Sequence, residues 1–170
     1  MIRSIFPALA GLAAVVACPT AQAATQYELQ LQTGGKACTG ALPAHEGALR
    51  KRPQAIVNEG EIPAFVTCSL QFNDANSTRP EFAVVNFGNS TPAAVTVACT
   101  VIDGFVAWGP ATFHPQTFVV PANTVQMEWP LEPPEGEAAF ATPSVGVSCN
   151  LPPGIAVNYY GYAIQADIGL

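Results

Sequence analysis

From residue 25 onward, apolar and polar side chains alternate with a period of two, and a sustained helical period is almost absent. Val95, Val97, Cys99 and Val101 fall on one side of an extended segment, with Thr96, Ala98 and Thr100 on the other. The same phase recurs in Val145, Val147, Cys149 and Leu151, opposed by Gly146, Ser148 and Asn150, and in Val66, Cys68, Leu70 and Phe72, opposed by Thr67, Ser69 and Gln71. Further strands are expected at 27–32, 81–87, 117–120, 124–129 and 155–166, separated by Gly, Pro and Asn turns. Pro121-Ala122-Asn123 has the chemistry of a tight hairpin. Turn signals at intervals of about 10 to 15 residues predict an all-β fold: an antiparallel two-sheet sandwich of about seven to nine strands, immunoglobulin-like in architecture.

Residues 34–63 break the pattern, with little alternation and much of the chain's charge, and read as a long loop. Three of the five cysteines lie on the inward side of predicted strands. Setting Cys18 aside leaves Cys38, Cys68, Cys99 and Cys149, an even number that implies two disulfides in an oxidising compartment, with three pairings open. Cys38 with Cys68 is preferred because it would tie the loop to a core strand, closing 30 residues for about 3–4 kcal/mol in the chain-entropy model. The remaining pair, Cys99 with Cys149, would close 50 residues for about 4 kcal/mol. No C-x-x-C spacing points to a zinc ribbon or a redox site.

The first 23 residues have the layout of a secretory signal: Arg3, an apolar run from Ile5 to Ala17, and Ala21-Gln22-Ala23 before the expected cleavage site. That leaves 24–170 as one β-sandwich domain, periplasmic or secreted. The apolar run is short for a bilayer, which needs about 20 residues, so no transmembrane segment is expected. A second reading takes Val15-Val16-Ala17-Cys18 as a lipobox and Cys18 as a lipid anchor.

Composition narrows the function classes. With 49% hydrophobic and 11% charged residues, 16 Pro and 14 Gly, the chain is globular and turn-rich rather than disordered. A net charge of −6 excludes a nucleic-acid partner, since phosphate binding needs a basic face, and Arg50-Lys51-Arg52 reads as solvated surface.

The order Cys99, Trp108, Cys149 is loosely similar to that of immunoglobulin domains, but Val147 stands where the tyrosine corner would be, so only the architecture is kept. A broader resemblance is carried by Cys38-Thr39-Gly40-Ala41-Leu42-Pro43, Leu49-Arg50-Lys51-Arg52-Pro53, Asn58-Glu59-Gly60, Ala64-Phe65-Val66-Thr67-Cys68-Ser69 and Cys149-Asn150-Leu151-Pro152-Pro153-Gly154. In these blocks the chain resembles uncharacterised small exported β-sandwich proteins of Gram-negative bacteria. The resemblance implies export and fold and transfers no activity. It also implies that the sequons Asn76-Ser77-Thr78 and Asn89-Ser90-Thr91 are polar turns rather than glycan sites.

No catalytic residue, metal ligand or cofactor site stands out. His45 and His114 are the only histidines, neither near a nucleophile motif, and no G-x-S-x-G is present. Glu132, Glu135 and Glu137 form an acidic Pro-rich turn without the spacing of a calcium loop. Asn158, Tyr160 and Tyr162 share one face of a predicted strand and make the candidate binding surface, able to stack on a sugar ring or anchor a protein contact. The scaffold type and the absence of visible chemistry together lead to the expectation of a non-catalytic exported, envelope-associated module that recognises a protein or glycan surface. A pilus-like filament subunit and a secreted hydrolase are the alternatives.

Overall fold

The computed structural model describes residues 25–70, 79–104, 110–133 and 135–167. The expected leader, Cys18, Phe72, Trp108 and the sequon at Asn76 lie outside the described residues. Eleven strands are described: β1 (Thr25–Thr33), β2 (Cys38–Gly40), β3 (Leu49–Lys51), β4 (Ile56–Asn58), β5 (Ala64–Ser69), β6 (Phe82–Asn89), β7 (Val95–Asp103), β8 (Thr112–Val120), β9 (Thr124–Leu131), β10 (Val145–Leu151) and β11 (Ile155–Asp167). They form two antiparallel sheets, one ordered β3-β4-β11-β6-β9 with β1 also on β11, the other β2-β5-β10-β7-β8. The two-sheet sandwich is as the alternation implies.

From β4 to β11 the chain passes between the sheets, giving the orders β4-β11-β6-β9 and β5-β10-β7-β8. This is the strand arrangement of a jelly roll. One consequence corrects the reading of Pro121-Ala122-Asn123: β8 and β9 belong to different sheets, so the turn is a crossover and not a hairpin. Asn123 supplies the reversal with a left-handed φ of 53°, a conformation Asn tolerates better than most residues.

The inward faces are the predicted ones. Val97, Cys99, Val101, Val145, Val147, Cys149, Leu151, Val66, Cys68 and Leu70 are all buried between the sheets. Both preferred disulfides are present, Cys38–Cys68 and Cys99–Cys149. Each joins directly opposed residues on neighbouring strands, β2 with β5 and β7 with β10, inside the five-stranded sheet.

Residues 34–63 are not the unstructured loop that their weak alternation suggests. They hold β2, β3 and β4, each three residues long, too short for a period of two to register. The segment enters through one helical turn, Gly34–Ala37, pressed against the main chain. A Cβ at Gly34 would collide with the Val157 carbonyl and one at Gly35 with the Arg52 carbonyl, so only glycine allows the approach. Farther along, buried Asp103 clamps a connection that carries the core residue Phe140, accepting bonds from Ala141 N at 2.6 Å and Thr142 N at 3.0 Å.

Candidate functional site

The candidate stripe Asn158, Tyr160 and Tyr162 does not form an exposed face. The β6–β11 register shifts between Val157 and Tyr159, and this bulge inserts one residue and reverses the phase downstream. Val157, Tyr160, Tyr162 and Ile164 therefore point into the core, all four buried. The Tyr160 hydroxyl donates to the Val145 carbonyl at 2.8 Å and the Tyr162 hydroxyl to Gln30 Oε1 at 2.8 Å. Burial, with Tyr162 alongside, pushes the Tyr160 pKa far above its ordinary value. Asn158 and Tyr159 are left together on the outer face of the six-stranded sheet, half-buried.

Beside them lies an open groove of about 710 Å³. Its floor is a row of small side chains, Val57, Ala156 and Gly88, opposite one another on β4, β11 and β6. Arg52 and Glu59 stand on one side, Thr124 and Val125 on the other, and Ser90 and Gly154 close one end. Glu59 meets both arginines of the basic run, Arg50 Nε at 3.5 Å and Arg52 Nη2 in a close ion pair. That run is thus partly strand β3 with a carboxylate partner rather than bare solvated loop. The pairs are exposed and contribute about 0–1 kcal/mol.

Two buried asparagines hold the groove's shape. Asn58 donates to the carbonyls of Ile62 and Leu151, both at 2.8 Å, and accepts from Gly60 N at 2.9 Å. Asn89 donates to Ala93, Val120 and Pro121 carbonyls at 2.8, 3.1 and 3.0 Å, and accepts from Thr91 N and Thr91 Oγ1, each at 2.8 Å. Between these two turns the β10–β11 turn is strapped down: Gly154 N donates to the Asn58 carbonyl, and Ser90 N and Oγ donate to the Gly154 carbonyl. With its side-chain nitrogen and oxygen both engaged, Asn89 serves a structural turn.

Asn158 is the central polar group. Its Nδ2 donates to Asn86 Oδ1 at 2.8 Å and to the Val125 carbonyl at 2.9 Å, tying β11 to β6 and β9. These bonds fix the amide and leave Oδ1 as its acceptor toward a ligand. Past Asn158 the groove opens into a hollow of about 300 Å³ that adds Thr33, Gln54, Gln126 and Tyr159. The Tyr159 hydroxyl donates to Glu128, which steadies the ring.

The histidines serve local structure. His45 Nδ1 accepts from Phe65 N at 2.9 Å and its ring stacks on Phe65 with centroids 6.1 Å apart. His114 Nε2 lies 3.2 Å from Thr112 Oγ1 on the same strand. Among the described residues no carboxylate forms an ion pair with either histidine. No three His, Cys, Asp or Glu among those residues come together to hold a metal. Glu132, Glu135 and Glu137 line a separate shallow hollow with Glu81 and Phe82. Among the described residues no helix is long and apolar enough to cross a membrane.

No protein-family model matches the chain, and neither does any curated protein. Among solved structures, the chain is similar to the carbohydrate-binding module TmCBM61 in complex with β-1,4-galactotriose, at 10% identity and a TM-score of 0.37, over 82% of this chain and 88% of that one. It is also similar to a protein from a study of promiscuous carbohydrate-binding modules of the β-sandwich superfamily, at 12% identity and a TM-score of 0.37, over 82% of this chain and 56% of that one.

Proposed function

We propose that the protein is an exported, non-catalytic recognition module whose outer sheet face takes a hydroxyl-rich chain, a glycan, along the groove and across Asn158 to Tyr159. One observation carries this reading: an amide held rigid by two hydrogen bonds stands between an open groove and a half-buried tyrosine ring. Sugars offer hydroxyls in pairs and apolar C–H faces. Side-chain amides, the Arg52 guanidinium and the Glu59 carboxylate suit the first, and a tyrosine ring suits the second. Asn158 and Tyr159 lie on strand β11 within the sheet, so little ordering entropy is lost there on binding. A filament subunit built by strand exchange finds no comparable support, and neither histidine is placed for hydrolytic chemistry.

Export is supported by the two disulfides, which persist in oxidising compartments. Intact mass of the exported protein should show a chain starting at Ala24 and a gain of about 4 Da on reduction, two hydrogens per bond. A lipidated Cys18 start would replace that reading with a membrane-anchored one.

Affinity electrophoresis through gels containing neutral and acidic soluble polysaccharides tests the ligand class. At least one polysaccharide should retard the wild type, and Ala156→Phe, which fills the groove floor from the outer face, should run free. Equal mobility of both proteins in every gel would refute the glycan reading.

A further inference from the structure

Strand β1 has the opposite polarity to an ordinary edge strand. Its side chains on the outer face are Tyr27, Leu29 and Leu31, which are 59%, 52% and 46% exposed. Those on the core side are Gln26, Glu28, Gln30 and Gln32, lying where β1 overhangs the sandwich margin. Phe82, 38% exposed, extends the apolar patch across the sheet, because Leu29 and Phe82 both stand opposite Ala163. Leu31 lies over Gly161, where any Cβ would collide with it.

One edge of β1 is taken by β11 in nine consecutive pairs with no bulge. Its other edge pairs with no strand among the described residues. Edges left open in this way are usually guarded by Lys, Pro, a bulge or an inward-pointing charge, and β1 has no Lys, Pro or bulge and a single inward carboxylate, Glu28.

The order of residues in β1 identifies what fits that edge. Thr25-Gln26-Tyr27-Glu28-Leu29-Gln30-Leu31-Gln32-Thr33 reads nearly the same from both ends. About Leu29, Thr25 mirrors Thr33, Gln26 mirrors Gln32, Tyr27 mirrors Leu31 and Glu28 mirrors Gln30. A two-fold axis through an antiparallel strand pair sets residue i opposite the mirror position of the second chain, so a strand with this order meets its own copy with like residues opposed.

We propose that β1 pairs with β1 of a second copy of this chain, antiparallel about a two-fold axis at Leu29, so that the two six-stranded sheets become one. In that register Leu29 meets Leu29 and Tyr27 meets Leu31, while Glu28 meets the neutral Gln30. Moving the axis to Glu28 would oppose two like charges, which is destabilising. Slipping by one residue would set apolar residues against amides. The ladder forms roughly ten backbone hydrogen bonds. No β1 residue lines the main groove, which stays open on each subunit, while Thr33 at the end of β1 borders the hollow beyond Asn158.

Multi-angle light scattering on the purified protein without its leader should give twice the chain mass. Leu29→Lys, at an exposed position, should give a monomer with unchanged circular dichroism. Register is read by cross-linking. Leu29→Cys alone should form a covalent dimer in air, and Tyr27→Cys should form one only when mixed with Leu31→Cys. Two copies of position 27 would be four residues out of step, about 13 Å at the rise of a strand. A monomeric wild type at 100 μM, a dimer that survives Leu29→Lys, or Tyr27→Cys cross-linking alone as readily as Leu29→Cys would each overturn the proposal.

Discussion

Replacing Asn89 with Ala removes a side chain that makes five hydrogen bonds at the junction of two turns. Its two N–H donors serve the carbonyls of Ala93, Val120 and Pro121, and its Oδ1 takes the Thr91 amide and hydroxyl. An ordinary intramolecular hydrogen bond contributes about 0.5–1.5 kcal/mol net, and a buried acceptor left without a partner costs about 1–3 kcal/mol. The Val120 contact is fully buried and the others only partly so, since water reaches some of the freed groups. The loss should therefore be about 3 kcal/mol, a large share of the stability of a domain this size. Urea unfolding followed by tryptophan fluorescence measures it, with exposed Gln126→Ala as a control that stays within about 0.5 kcal/mol. Asn89→Asp sharpens the test, because it keeps the acceptor but points a carboxylate at three carbonyls. That site favours the protonated acid and raises its folded pKa above the unfolded value, near 3.9. The stability of the Asp variant should be greatest below that pH and fall as pH rises through the folded pKa. A cost under 1 kcal/mol for Asn89→Ala, or an Asp variant insensitive to pH between 3 and 7, would refute the reasoning.

Three further outcomes follow from the packing. Cys99→Ala with Cys149→Ala should lower the unfolding free energy by about 4 kcal/mol and Cys38→Ala with Cys68→Ala by about 3–4 kcal/mol, read from the same urea curves, since the loops close 50 and 30 residues. Tyr160 should stay protonated in the native protein, so ultraviolet titration should find at least one tyrosine that ionises only on unfolding, and Tyr160→Phe should reduce that number by one. Because its folded pKa lies above its unfolded one, its contribution is complete below about pH 10 and is lost as pH rises beyond that. Tyr160→Phe should cost about 1–2 kcal/mol by leaving the Val145 carbonyl unpaired, and a neutral substitution would contradict the buried bond.

Most of the long strands were legible because alternation reports burial directly. Cys68, Cys99 and Cys149 shared that phase, Cys38 did not, and in the structure each bridge joins opposed positions on neighbouring strands. Two things escaped. A period of two carries no information about a bulge, so Asn158, Tyr160 and Tyr162 read as one stripe although one inserted residue sends the two tyrosines inward. The groove comes from four distant segments, around Arg52–Gly60, Gly88–Ser90, Asn123–Val125 and Gly154–Asn158, and small residues form its floor. Gly88 and Ala156 give no chemical signal in a sequence. A signal did exist at the groove's supports: Asn58-Glu59-Gly60 and Asn89-Ser90-Thr91 both place a backbone donor two residues after an asparagine, the spacing of an Asx turn.

Recognition through the outer sheet face is tested most directly by titrating the isotope-labelled protein with whichever polysaccharide retards it, while following amide resonances. The Asn158 side-chain amide and the backbone amides of Gly88, Ser90, Val125 and Asn158 should shift together and saturate, with the polysaccharide recovered intact. Shifts confined to the opposite sheet, or shortening of the polysaccharide during the titration, would contradict a non-catalytic site at this groove.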